Sequence, residues 1–186
     1  MRRAADLCTW LRVALAAPFA WAVFAADGAP ALLPLAIYAA AAASDFADGR
    51  LARAVGTASA RGRLFDHGAD ALFLFPALIV MAALGRVPVL LPAAATVAFG
   101  LYLADGRRRG TAGASLELAP SQVGAVAGVA NYVVAGVVAA TLWLGPSRLD
   151  GAVWTAALLV ALANAAAVVE RVLRVAGGAR PEVRLP

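Results

Sequence analysis

The sequence has a single cysteine and no lysine. Cys8 is alone among 186 residues, so an internal disulfide is excluded. All 16 basic residues are arginines, and with 11 acidic residues they give a net charge of +5. A basic soluble protein would suggest a nucleic-acid ligand. Here, however, the arginines occur in short segments between apolar runs, so membrane topology explains them better and no nucleic-acid partner is expected.

Hydrophobic residues, in contrast, are abundant. They make up 63% of the sequence and give it a mean hydropathy of +0.81, whereas soluble domains are about half apolar. Several apolar runs approach the roughly 20 residues that a membrane helix needs. We therefore predict an all-α integral membrane protein that forms one domain over residues 1–186.

We predict six membrane-spanning helices, separated by breaks that contain glycine or proline. The predicted spans are 10–26, 32 to beyond 43, 64–84, 89–104, 121–144 and 152–172. A short interfacial segment precedes the first span, the second continues into a polar helical extension, and a flexible tail starts at about 177. A cleaved signal peptide is the alternative for the first span, because arginines follow Met1 and small residues end the apolar run.

The arginines predict the orientation of these spans. If the N-terminus lies in the cytoplasm, 14 of the 16 arginines are cytoplasmic and only Arg86 and Arg148 lie outside. Both termini are then cytoplasmic, and the spans lie in the cell (inner) membrane among its lipids. In the fifth span, Gly124 and Gly128 have a spacing that allows two helices to approach closely. Both packing within the chain and a homodimer contact are compatible with that spacing.

Four aspartates lie at the predicted cytoplasmic ends of the second and third spans, where acids beside apolar helices are costly. Asp45 and Asp48 are three residues apart, so they share a helix face. Asp66 and Asp70 are four apart and share another. If the two faces meet, the carboxylates repel one another unless a cation intervenes. Hard divalent ions such as Mg²⁺ prefer carboxylate and phosphate oxygens.

This pattern predicts a metal-assisted site for a pyrophosphate compound. Gly49, Ala52 and Gly62 are small residues on the same faces and leave room for a ligand. Arg53 adds a positive charge suited to phosphate. Two alternatives are a set of solvated loop charges that balance nearby arginines, and a proton or cation pathway. Against a pathway, no acid lies in the middle of a predicted span, where a carrier needs one.

The same segment carries a known signature, D-x2-D-G-x2-A-R-x8-G-x3-D-x3-D. All eight fixed positions match with the correct spacing, at Asp45, Asp48, Gly49, Ala52, Arg53, Gly62, Asp66 and Asp70. In this respect the chain resembles the CDP-alcohol phosphatidyltransferase family. Members that make phosphatidylglycerol phosphate often begin with N-x-x-T-x-x-R. Thr9 and Arg12 fit that second motif, while Asp6 replaces its asparagine.

The resemblance implies an enzyme that transfers a phosphatidyl group from CDP-diacylglycerol to a small alcohol and releases CMP. It implies two divalent ions, Mg²⁺ or Mn²⁺, and a catalytic base, Asp70. The implied metal ligands are Asp45, Asp48, Asp66 and Asp70, and the implied CDP-binding residues are Gly49, Ala52, Arg53 and Gly62. The rival from another class is a non-enzymatic membrane carrier or lipid-binding protein.

The acceptor is less closely defined. Glycerol 3-phosphate is the default expectation, but family members that use it often read L-D-P-x-A-D-K. Here His67 and Ala71 replace the proline and the lysine, so inositol phosphate, serine and other polyols are alternatives. A phosphorylated acceptor needs cations beside the site. The candidates are Arg107, Arg108, Arg109, Arg171 and Arg174, which could instead serve topology and contact anionic headgroups.

Overall fold

The structure is a computed structural model, and the regular elements in its described residues are helices. The backbone is described for residues 2–26, 29–55, 60–111, 122–145 and 149–176, and the side chains for 9–26, 29–46, 65–105, 122–145 and 149–175. Within these ranges there are six helices. They are α1 (Arg2–Ala25), α2 (Leu33–Val55), α3 (Ala60–Ala83), α4 (Leu90–Thr111), α5 (Gln122–Leu144) and α6 (Asp150–Ala176).

Each helix coincides with one of the segments predicted from the apolar runs. The polar extension of the second segment is helical, because α2 continues to Val55. The stretch before residue 10 is not a separate element, since α1 is one helix from Arg2 onward. Prolines 18 and 76 lie inside α1 and α3 without ending them, as membrane helices allow. The predicted tail lies outside the described residues.

Among the described residues, three helices are long and apolar enough to cross a membrane. These stretches are Phe65–Ala83, Gln122–Leu144 and Asp150–Val175. The other helices contain shorter apolar stretches, Thr9–Ala25, Leu33–Phe46 and Leu90–Asp105. Large apolar side chains are exposed on all six helices. Such extensive exposed apolar surface is typical of a chain that lies in lipid.

The core lies where α1, α3 and α5 meet. The rings of Phe19 on α1 and Phe73 on α3 are both fully buried and stack with their centroids 4.9 Å apart. The ring of Tyr132 on α5 also stacks with Phe73, at a centroid distance of 6.3 Å. Aromatic stacking of this kind adds about 0.5–1.5 kcal/mol to the energy of burial alone. It fixes the three helices side by side at the depth of the acidic residues.

Two polar contacts hold α5 against its other neighbours. Asn131 and the α6 residue Asn164 are both buried, and their amides exchange hydrogen bonds of 3.0 and 3.2 Å. On the α2 side, the Tyr38 hydroxyl donates to the carbonyl of Tyr132 at 3.0 Å. A Cβ on Gly136 would lie 2.6 Å from the Tyr38 ring. Only glycine therefore lets α2 and α5 approach this closely.

Gly128 is one of the two glycines whose spacing allows close helix packing, but within the described residues no other helix packs closely against it. A Cβ added there would meet no atom within 4 Å.

Helix α3 ends in a Schellman motif in which Gly85 has a φ of 71°. The Arg86 amide donates to the carbonyl of Met81 at 2.8 Å, and the Gly85 amide donates to that of Ala82 at 3.0 Å. Glycine at this position ends the helix without strain.

Candidate active site

Three of the four signature aspartates lie together. Asp45 extends from α2, and Asp66 and Asp70 extend from one face of α3, as their four-residue spacing predicts. One carboxylate oxygen of each lies within 4.8 Å of those of the other two. The fourth, Asp48, is in the part of α2 whose side chains lie outside the described residues. The condition set in the sequence analysis, that the two carboxylate faces meet, is therefore fulfilled by the three described aspartates.

An arginine lies at the centre of this cluster. Arg12 of α1 is fully buried, and its Nη1 donates to Oδ1 of Asp45 at 2.8 Å. The same nitrogen donates to Oδ1 of Asp70, and Nη2 donates to Oδ1 of Asp66. The planar fork of a guanidinium suits several carboxylates at once. We call Arg12, Asp45, Asp66 and Asp70 the acid cluster.

The acid cluster is closed on one side and open on the other. The Arg12 side chain has no exposed surface, whereas the side chains of Asp45, Asp66 and Asp70 are 49%, 38% and 24% exposed. The carboxylates therefore separate the arginine from the outside and can be reached by a ligand. One guanidinium against three carboxylates leaves these four side chains with an excess of two negative charges. Such a centre attracts further cations.

Tyr132 connects α5 to the acid cluster. Its hydroxyl donates to Oδ1 of Asp70 at 2.8 Å, the same oxygen that accepts a bond from Arg12. Asp70 is thus the point where α1, α3 and α5 meet. Sequence reasoning missed Tyr132, since a single tyrosine in an aliphatic span is most simply a core residue. The available signal was its position next to Asn131, where two polar residues interrupt an apolar run.

Sequence reasoning also undervalued Arg12. In the sequence, Arg12 is one of the arginines that predict the orientation and one residue of the N-terminal motif. The stronger signal was a charge inside the first apolar run, three residues after Thr9, which is also buried. A buried arginine needs anionic partners. The four aspartates at the ends of the second and third predicted spans were the candidate partners.

The predicted acceptor arginines differ in their surroundings. The guanidinium of Arg171 on α6 lies 5.1 Å from the ring centre of Tyr102 on α4. The Tyr102 ring in turn contacts His67 edge to face at 5.9 Å, and His67 directly follows Asp66 in α3. These ring contacts extend from Arg171 to the residue that follows Asp66 in the sequence. Arg174 instead forms an ion pair with Glu170 of its own helix.

The remaining predicted site residues belong to parts of the chain whose side chains the structure does not describe. Gly49, Ala52 and Arg53 belong to the polar extension of α2, and Gly62 belongs to the first turn of α3. Their side chains lie outside the described residues, as do those of Arg107, Arg108 and Arg109.

The sequence as a whole matches one protein family. The model of the CDP-alcohol phosphatidyltransferase family fits residues 2–176, which is nearly the whole chain. The chain therefore belongs to the CDP-alcohol phosphatidyltransferase family, and this membership supports a transferase of phospholipid biosynthesis. The family takes a CDP-alcohol as donor and an alcohol as acceptor. None of the curated proteins searched matches the chain.

Proposed function

We propose that the protein transfers a phosphatidyl group from CDP-diacylglycerol to a small alcohol, releases CMP and depends on divalent metal ions. One observation carries this proposal: Asp45, Asp66 and Asp70, which are signature positions, converge within 4.8 Å at an accessible end of the bundle. A carrier would instead need ionisable groups near the middle of its spans. The intact signature also argues against a relic of the family that has lost activity.

The donor set fits hard divalent ions. Carboxylate oxygens are the ligands that Mg²⁺ and Mn²⁺ prefer, and the guanidinium of Arg12 marks the centre as a place for cations. We assign Asp45, Asp66 and Asp70, together with the signature residue Asp48, as the ligands of two ions. When bound, such ions neutralise charge on the pyrophosphate and on the leaving CMP.

Asp70 is assigned as the general base. One of its oxygens, Oδ1, accepts the bond from Tyr132, which holds the carboxylate in one orientation. The other oxygen, Oδ2, then takes the proton of the acceptor hydroxyl. The acceptor oxygen bonds to the phosphorus that carries diacylglycerol, and the bond from this phosphorus to the CMP oxygen breaks. The electron pair leaves with CMP.

The substrates are assigned around this centre. Gly49, Ala52, Arg53 and Gly62 shape the nucleotide pocket, as the signature implies. For the acceptor, glycerol 3-phosphate is the first choice, and inositol phosphate, serine and other polyols are the alternatives. The stack of Arg171 on Tyr102, next to His67, supports a phosphorylated acceptor. Further candidates for its phosphate are Arg107, Arg108, Arg109 and Arg174.

The orientation follows from the arginines. All six helices are proposed to span the cell (inner) membrane, with both termini and the acid cluster on the cytoplasmic side. Residues 1–186 form a single domain in this proposal. The open space beside Gly128 is compatible with a homodimer contact on that face of α5.

The test is a reaction with a panel of acceptors. Purified protein, CDP-diacylglycerol and Mg²⁺ are incubated with glycerol 3-phosphate, inositol 1-phosphate, inositol or serine, and CMP and the product lipid are measured. We expect CMP release with one acceptor and none from the Asp66→Ala variant. Donor binding without CMP release for any acceptor would contradict the proposed reaction. Absence of donor binding would instead favour the non-enzymatic rival.

A further inference from the structure

Arg12 lies among the carboxylates that we assign as metal ligands. Its two terminal nitrogens contact all three described carboxylates, which come from two other helices. The side chain is fully buried, and a buried arginine requires such compensation. The carboxylates therefore stabilise Arg12, and Arg12 reduces their mutual repulsion. In this arrangement the arginine is the cation of the cluster.

The arginine and a divalent ion would compete for these carboxylates. One ligand oxygen from each of Asp45, Asp66 and Asp70 lies within 4.8 Å of the other two, and Arg12 contacts Oδ1 of all three. A divalent ion that used the same oxygens would lie close to the guanidinium, and the two positive charges would repel each other. Binding of the ion therefore opposes the contacts of Arg12.

We propose that Arg12 is an internal counter-ion that holds the acid cluster together without metal and is displaced when a divalent ion binds. This inference rests on the metal site of the proposed function. It assigns Arg12 a positioning role, because the residue presets the three carboxylates in one place. It also makes Arg12 a competitor that lowers the affinity for metal.

The two effects have opposite signs, and this separates the proposal from a merely structural role. Without Arg12, the three carboxylates repel one another, so the metal-free protein unfolds more easily. With metal, nothing needs to be displaced, so binding becomes tighter and the ligand stabilises the fold by more. A residue that only supported the fold would not increase metal affinity on removal. A residue that oriented the ligands while metal was bound would decrease it.

The experiment measures Mn²⁺ binding without donor or acceptor. Full-length protein in lipid nanodiscs is titrated with Mn²⁺, and the free ion is followed by its electron paramagnetic resonance signal. Wild type is compared with Arg12→Gln and with Arg12→Lys, which retains the charge but not the fork. Arg86→Gln removes a positive charge at the far end of α3 and controls for net charge. Unfolding temperatures with EDTA and with Mn²⁺ are recorded in parallel.

We expect Arg12→Gln to bind Mn²⁺ about tenfold more tightly than wild type, a difference of about 1.4 kcal/mol. Arg12→Lys should fall between them, and Arg86→Gln should match wild type. Arg12→Gln should also unfold at a lower temperature in EDTA and gain more from Mn²⁺. If it does not fold without metal, purification in Mn²⁺ and the Arg12→Lys variant still give the affinity order.

Two results would overturn the proposal in different ways. If wild type binds Mn²⁺ and Arg12→Gln binds it equally or more weakly, Arg12 is not a competitor, although the proposed metal site stands. If neither wild type nor any variant binds Mn²⁺, the metal site itself is wrong, and the role of Arg12 is lost with it.

Discussion

The hydroxyl of Tyr132 donates a hydrogen bond of 2.8 Å to Oδ1 of Asp70. The backbone of the same tyrosine is held by α2, because its carbonyl accepts a bond of 3.0 Å from the hydroxyl of Tyr38. Its ring also stacks near Phe73 of α3. Tyr132 thus fixes the position of the Asp70 carboxylate, which we assign as the base, relative to α2 and α5.

Tyr132→Phe should reduce turnover while leaving the bundle intact. The variant keeps the ring and loses only the bond to Asp70, so kcat should fall about 10- to 150-fold, since a hydrogen bond to a charged group contributes about 1.5–3 kcal/mol. The KM for CDP-diacylglycerol should change little. Steady-state CMP release measures both. Tyr38→Phe, which loses a bond to a carbonyl and not to Asp70, should have a smaller effect, and an unchanged kcat in Tyr132→Phe would contradict this positioning role.

Asp70→Asn should separate donor binding from chemistry. The amide has nearly the shape of the carboxylate but cannot take a proton from the acceptor, so CDP-diacylglycerol should still bind while turnover is abolished. Donor binding is measured by equilibrium titration and turnover by CMP release. Asp150→Asn is the matched control, because this acid pairs with Arg86 in a contact of 3.9 Å away from the acid cluster and should retain activity. Normal turnover in Asp70→Asn would exclude it as the base.

Gly136→Ala should destabilise the protein. The new Cβ would lie 2.6 Å from ring atoms of Tyr38, and Tyr38 cannot move away without breaking its bond to α5. Overpacking of this kind costs about 1–3 kcal/mol, so the unfolding temperature in detergent should fall by several degrees. Gly100→Ala in α4 is the control, because its Cβ would meet nothing within 4 Å. Equal unfolding temperatures for the two variants would contradict the close approach of α2 and α5.

The buried amide pair should behave as a unit. Asn131→Leu leaves Asn164 without its partner across the helix interface, and Asn164→Leu does the reverse. Each should destabilise the protein by about 1 kcal/mol, within the range measured for polar contacts between membrane helices. The double variant should lose less than the sum of the two, because neither amide is then left alone. Chemical unfolding of all four proteins gives the coupling, and strict additivity would mean that the pair contributes nothing jointly.

The helices and the aspartates could be predicted because their signals are local. Apolar runs broken by glycine and proline locate each of the helices α1 to α6, although α1 begins eight residues before its predicted start and α4 ends seven residues after its predicted end. The spacing of Asp66 and Asp70 alone sets them on one face of α3. Family membership follows from the same short segment, since the signature is continuous in sequence.

Arg12 and Tyr132 could not be assigned from the sequence because their contacts are distant along the chain. Arg12 and Asp70 are 58 positions apart, and Tyr132 and Asp70 are 62 apart. No periodicity links residues on different helices, so the choice of partners depends on how the bundle packs. Gly136 is similar. Its small size has a purpose only once Tyr38 lies against it.

The central claim is that the aspartates of the acid cluster hold the metal that drives phosphatidyl transfer. The most direct test is the rate of CMP release from CDP-diacylglycerol as Mg²⁺ is added to EDTA-treated protein, with the acceptor saturating. Wild type should rise from no activity to a plateau, and Asp45→Asn and Asp66→Asn should require far more Mg²⁺ or never reach it. CMP release in EDTA, or wild-type Mg²⁺ dependence in both variants, would contradict the claim.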